Sequence, residues 1–211
     1  MKTGSLRVVL FSIVILSVSV VPAGATLLAP GSSISAPAEP GEPSGGTVLA
    51  TVGPLSFTAT TFSGSLLSRV IEGDTTNPWG GLTFTYVITN DASSLDAIVR
   101  LTVSSFEGFD TDVSYNSLST GTTPSLVNRS LNGRVVGFDF LIPSLEPAQQ
   151  SALLVVQTNA TRYTQGTAAV IDGSVIQVPS LGPIPEPATL TLLATACFGL
   201  IRRRSVRPTG R

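Results

Sequence analysis

The chain has 211 residues, room for one domain with flanking segments. It contains no histidine and one cysteine, which excludes His-dependent triads, Cys–His catalysis, zinc sites that use His, and any intrachain disulfide or Cys-cluster metal site. Twelve basic residues face thirteen acids, but seven of the twelve sit at the two ends; the five arginines between them share that region with every acid, and so acidic a surface repels nucleic-acid phosphates.

Residues 1–25 read as a secretory signal peptide. Lys2 and Arg7 make a positive start, and the apolar run 8–21 falls short of the ~20 residues of a comfortable bilayer span. Pro22 ends the run. Ala23-Gly24-Ala25 offers small side chains at Ala23 and Ala25, so signal peptidase is expected to cut after Ala25.

Residues 26–46 are expected to form a Pro/Gly-rich linker, extended and mobile. The stretch Ala36-Pro37-Ala38-Glu39-Pro40-Gly41-Glu42-Pro43 has no apolar periodicity with which to offset its ordering entropy.

Residues 47–178 carry a period of two. Leu82, Phe84, Tyr86 and Ile88 alternate with Thr83, Thr85 and Val87; Val99, Leu101 and Val103 alternate with Arg100 and Thr102; Val136, Phe138, Phe140 and Ile142 alternate with Gly137, Asp139 and Leu141. Further runs cover 48–52, 56–60, 66–71, 152–157 and 168–178. Val, Ile and Thr suit a pleated, half-buried surface. Turn chemistry separates the runs at Glu72-Gly73-Asp74, Asn77-Pro78-Trp79-Gly80-Gly81, Asn90-Asp91, Asn132-Gly133 and Asp172-Gly173, with Asn132-Gly133 expected as a two-residue hairpin turn. The pattern predicts an all-β body, an antiparallel β-sandwich of some eight strands, with a core on Phe84, Tyr86, Leu101, Val103, Phe138 and Phe140.

Without histidine, carboxylates are the remaining candidates for chemistry. Glu107, Asp110 and Asp112 fall within six residues. The expectation is a solvated acidic loop and no metal. The alternatives are a Ca2+ site, since Asp-x-Asp supplies hard oxygen ligands, and a glycosidase pair, which needs two carboxylates across a cleft. Trp79 and Tyr115 are the aromatic pair that could stack on a sugar ring, against the plainer reading of loop and core packing. Asn128 and Asn159 head N-x-Ser/Thr sequons. Arg129 and Arg134, bracketing Asn132-Gly133, are expected to balance local acids. No catalytic residue and no cofactor is assigned.

The last segment has three parts. Residues 179–187 form a second linker ending in Pro185-Glu186-Pro187. Residues 188–201 are apolar or small, and as a helix they span roughly 21 Å at ~1.5 Å per residue, short of a ~30 Å hydrocarbon core. Arg202-Arg203-Arg204 then supplies a basic stop on the cytoplasmic side. Residues 188–211 thus read as a marginal single transmembrane helix with an Arg-rich end, a transient tether.

The tail Ile184-Pro185-Glu186-Pro187-Ala188-Thr189-Leu190, the span ending Phe198-Gly199-Leu200-Ile201 and the arginine run resemble the PEP-CTERM sorting signal of Gram-negative-type bacteria. That resemblance covers about the last twenty-five residues. It implies recognition and cleavage by an exosortase, a membrane cysteine transpeptidase, and association with exopolysaccharide or extracellular matrix. Cys197 departs from the small or branched apolar residues usual within the span, and as a small apolar filler it adds no chemistry. The stretches 62–90 and 166–174 also look faintly like a body found in other such proteins, one that carries no function across. The reading is a non-enzymatic surface or secreted protein of structural or adhesive role, with a surface-presented carbohydrate- or Ca2+-binding sandwich as the alternative. Its partners are signal peptidase, exosortase, the membrane and extracellular polysaccharide.

Overall fold

The threonine-rich run at 82–88 becomes β5 (Thr83–Asn90), an interior strand flanked on both sides. The computed structural model describes residues 26–184, and among them every regular element is a strand. Phe84, Tyr86 and Ile88 point into the core with no exposed surface, as the period of two requires. β5 pairs antiparallel with β4 (Ser63–Glu72), which pairs with the long edge strand β3 (Thr47–Thr58). Two runs that read as separate, 48–52 and 56–60, are one strand interrupted at Gly53-Pro54, where the register shifts between Val52 and Leu55. Proline has no N–H for the ladder, so it is confined to edges and bulges.

On its other side β5 meets β10 (Leu153–Thr158), and β10 meets β7 (Thr111–Asn116). The second sheet is built on β6 (Arg100–Ser104), β8 (Leu126–Arg129), β9 (Val135–Asp139) and the hairpin of β11 (Tyr163–Asp172) with β12 (Ser174–Pro183). The run 168–178 is therefore the inner part of this hairpin, turning at Gly173, which takes φ +59°. With β1 (Ser33–Ser35) and β2 (Ala38–Glu39), each sheet of the described residues has six strands, in the orders β1-β8-β9-β6-β11-β12 and β2-β7-β10-β5-β4-β3. All pairs are antiparallel but one, β2 with β7. The architecture is all-β, as expected, and consistent with a β-sandwich.

The core lies between the sheets and draws on both. The six expected core residues, Phe84, Tyr86, Leu101, Val103, Phe138 and Phe140, are all fully buried. Phe84 and Phe106 meet edge to face with ring centres 5.7 Å apart. The sheets are also bonded to each other: the Tyr86 hydroxyl donates to Leu181 O at 2.7 Å, and Leu181 N donates to Ser68 Oγ at 3.0 Å.

Residues 26–46 differ from the expected mobile linker. They contain β1 (Ser33–Ser35), the edge of one sheet against β8, and β2 (Ala38–Glu39), the edge of the other against β7. The chain thus crosses from one sheet to the other and closes that flank of the molecule. On the opposite flank the edge strands β3 and β12 lie side by side. Leu28 is buried in the common core and Glu42 is 6% exposed. The ordering entropy is offset by ladder bonds and by Leu28, neither visible as periodicity in so short a stretch. Likewise, residues 179–183, expected in the second linker, complete β12 opposite β11.

The turn between β8 and β9 is longer than the two residues expected. Ser130–Gly133 closes through Gly133 N donating to Ser130 O at 2.8 Å, with Gly133 at φ +72°, and the strands rejoin through Ser130 N donating to Val135 O at 2.9 Å before the ladder pair Arg129↔Val136.

Candidate functional site

Ala23, Ala25, Pro185, Glu186, Pro187, Arg202, Arg203 and Arg204 lie outside the described residues. The described chain nevertheless shows where its two ends leave the body. Thr26 N donates to Asp112 Oδ1 at the start of β7, and Ile184 N donates to Arg162 O just before β11. β7 starts opposite the end of β10, through the pair Thr158↔Thr111, and β10 leads by a short loop to Tyr163, which faces Pro183. Both ends of the described chain therefore emerge at one pole. The loops β3–β4, β5–β6, β7–β8, β9–β10 and β11–β12 all lie at the opposite pole.

Glu107, Asp110 and Asp112 are not brought together. Glu107 is exposed in the β6–β7 loop. Asp110 is exposed, and its Oδ2 accepts from Asn159 Nδ2 at 2.9 Å, which also occupies the sequon asparagine. Asp112 is 7% exposed on β7, its Oδ1 accepting from Thr26 N at 3.0 Å and Val113 N at 2.9 Å. Among the described residues no three acidic or Cys side chains are grouped so as to hold a metal ion.

Trp79 and Tyr115 do not form a stacking platform. Tyr115 is half-buried and packs against the core. Trp79 is half-buried in the β4–β5 loop, which bonds to the outward face of β5 through Asp74 and Asn77. The other sequon asparagine, Asn128, is bonded on both sides, accepting from Arg100 and donating to Asp139 Oδ2 at 2.6 Å. Arg100 in turn pairs with Asp139 Oδ1 at 2.8 Å.

Sequence reasoning missed a polar layer on the outward face of the sheet that holds β5. Thr83, Thr85, Ser114 and Gln157 sit on this face and are all 2% exposed or less; Val155 beside them is fully buried. Their cover comes from the loop after β4 and from the segment after β2. Asp74 is the hub of the first. Its Oδ1 accepts from Ser44 N, Thr76 N and Thr76 Oγ1, and its Oδ2 from Thr83 Oγ1 and Gln157 Nε2, at 2.6–3.0 Å. Burial alone would push this carboxyl up, but the bonds from Thr76, Ser44 and Thr83 outweigh it and hold it below the usual carboxylate range.

Glu42 and Asp112 are placed differently. The Glu42 Oε2 accepts from Ser114 Oγ at 2.6 Å and has no basic neighbour to offset its burial. Burial pushes its carboxyl up, and the charges of Asp112, Glu39 and Asp74 push the same way. Burial raises Asp112 to about 6 against the two backbone N–H bonds, with Glu39 adding to the rise. The amide oxygen of Gln157, a residue 1% exposed and directly across the ladder from Asp112, has no partner among the described residues.

At the loop-bearing pole an open groove of about 370 Å³ is lined by Thr60, Thr61, Asp96, Asp172, Gly173 and Ser174. Partial burial, together with the charge and contact of Asp96, raises the Asp172 carboxyl. Comparison with known proteins matches this chain to no family model, no curated relative and no solved structure.

Proposed function

We propose that the chain is an exported, non-enzymatic structural or adhesive protein, held briefly at the membrane by residues 188–211. An exosortase then cuts it at Pro185-Glu186-Pro187 and delivers it to the cell surface or extracellular polymer. The observation that carries this reading is polar: Thr26 and Ile184 leave at the same end, and only Ile184 stands between the last paired residue of β12 and the tripeptide. In sequence the tripeptide follows closely on the end of β12, which supports a motif close to the folded body. Proline has no N–H and a fixed φ, which disfavours burying such a tripeptide in a helix or sheet and suits it to a protease.

The test is the C-terminal peptide of the protein recovered outside a host that has an exosortase, read by mass spectrometry. Expected is a C-terminus at or near the tripeptide, and accumulation of an uncut membrane form for Glu186→Ala. An extracellular form ending at Arg211, or a Glu186→Ala chain unchanged in mass and location, replaces the sorting signal with a permanent anchor. The acceptor-rich outward face favours the cation-binding form of the alternative over the carbohydrate-binding form, because Trp79 and Tyr115 are not paired.

A further inference from the structure

We propose that the outward face of the β5-containing sheet binds a hard divalent cation of the Ca2+ class between the carboxylates of Glu42 and Asp112 and the amide oxygen of Gln157. The proposal stands whether or not the tail is a sorting signal.

Register brings the three groups to one place. Asp112 and Ser114 are two residues apart on β7, on the same outward face and so about 7 Å apart along the strand. Ser114 holds the Glu42 carboxylate at 2.6 Å, which sets Glu42 beside Asp112. Gln157 is the direct cross-strand partner of Asp112. Its amide cannot be turned round, because Nε2 donates to Asp74 Oδ2 and an amide oxygen there would face a carboxylate. Nε2 also donates to Thr76 Oγ1 at 3.0 Å, so both amide protons are spent on the β4–β5 loop and Oε1 is left as the unbonded acceptor of a residue paired directly with Asp112.

What meets there is a set of acceptors with too few donors. Among the described residues the Glu42 carboxylate has one bond, from Ser114, and the Gln157 oxygen has none, although the residue is 1% exposed. The charges acting on Glu42 and Asp112 are all carboxylates. Arg69, on the outward face of β4, is exposed and lies beyond β5 from this point; Arg129 is spent on backbone carbonyls elsewhere. A buried carboxylate needs a counter-charge, and a cation supplies it for both carboxylates while giving the amide oxygen a partner. Oxygen-only ligands of this kind select Ca2+-like ions over zinc or copper. Glu39 and Asp74 deepen the negative potential without joining the ligand set, which agrees with no three acids forming a cage among the described residues. Because Glu42 arrives from the segment after β2 and Asp112 from β7, the cation would also fasten residues 26–46 to the sheet.

The experiment uses the exported chain freed of metal with a chelator, unfolded by heat at pH 7.5 with CaCl2, with MgCl2, and with NaCl at matched ionic strength. Expected is a Ca2+-specific rise in Tm of at least about 3 °C, by mass action on the native state. Titration calorimetry of the wild-type chain should give one site per molecule, a reading that does not depend on any variant folding. Asp112→Asn and Glu42→Gln should lose the rise while folding as well as the wild type without Ca2+. Asp110→Asn and Asp172→Asn should keep it. No Ca2+ response in the wild type overturns the proposal, as does a response that survives both Glu42→Gln and Asp112→Asn, or one lost only in Asp172→Asn. A Tm that rises on acidification to pH 5 and ignores Ca2+ also overturns it, because a proton then supplies what the acceptors lack.

Discussion

Arg129 is 4% exposed, and its guanidinium touches no carboxylate among the described residues. It donates to Gly133 O, Leu28 O, Phe106 O and Phe109 O at 2.6–2.9 Å. One side chain therefore ties the first described segment, the β6–β7 loop and the β8–β9 turn. Burial pulls its pKa down, opposed by the charge of Asp110. Both Arg129 and Arg134 are expected from sequence to balance local acids; Arg129 does feel the charge of Asp110, but its donors go to backbone carbonyls, whereas Arg134 is exposed. The planar fork explains the choice of residue, because a lysine ammonium cannot fan out to four carbonyls. Arg129→Met should cost about 3–5 kcal/mol in urea unfolding, since several buried carbonyls lose their donor, and Arg129→Lys should recover only a minor part. Nothing in the sequence around Asn132-Gly133 announces this, because Leu28 lies 101 residues away. The opposed carboxylates give a second residue-scale outcome. Asp74 has its folded pKa depressed, so its stabilisation is present above the usual carboxylate range and is lost as pH falls through the folded value. Asp112 is raised to about 6, so its contribution is greatest below the unfolded pKa and is lost as pH climbs through about 6. In metal-free buffer at pH 7.5, Asp74→Asn should lower Tm and Asp112→Asn should raise it or leave it unchanged. Shifts of the same sign in both would contradict the assignment.

At the scale of elements, what the sequence revealed was what repeats. β5, β6, β9 and β10 each have a buried face of Phe, Leu, Val, Ile or Tyr, and the alternation marks them at once. β7 escaped because its outward residues Asp112, Ser114 and Asn116 are polar, so the same stretch reads as an acidic loop. β1 and β2 are three and two residues long, too short for any period. The polar layer escaped for a related reason: buried threonines of an interior strand look in sequence like exposed ones of a half-wet sheet. Two truncations separate these readings. Phe138→Ala should cost about 3–5 kcal/mol, as for any fully enclosed aromatic. Leu28→Ala should cost about 2–4 kcal/mol, although Leu28 lies in a stretch whose composition marks it as linker. A cost near zero for Leu28→Ala, measured as the urea midpoint at unchanged slope, would mean that residues 26–46 do not belong to the cooperative unit.

For the whole molecule, the two poles differ in what they offer a partner. The pole of the chain ends exposes Arg134 and Arg162 together with Glu107, Asp110, Leu27 and Leu131. The loop-bearing pole exposes Leu95, Leu118, Leu141, Ile142 and Val175, and among the described residues its one arginine, Arg100, is paired with Asp139. If the tail tethers the chain as proposed, the first pole faces the lipid and the second faces outward. That makes orientation measurable without knowing the final partner. An epitope placed in the exposed β7–β8 loop at Leu118-Ser119 sits on the outward pole, whereas one placed directly before Thr26 sits at the foot of the molecule. In spheroplasts carrying Glu186→Ala, which retains the tether, antibody should reach the Leu118 epitope at full level and the Thr26 epitope poorly. With the wild-type tail and an active exosortase, both epitopes should leave the membrane fraction together and become equally reachable, because cleavage removes what hides the lower pole. Equal access to both epitopes in the tethered form would show that the pole bearing Thr26 and Ile184 does not stand against the membrane.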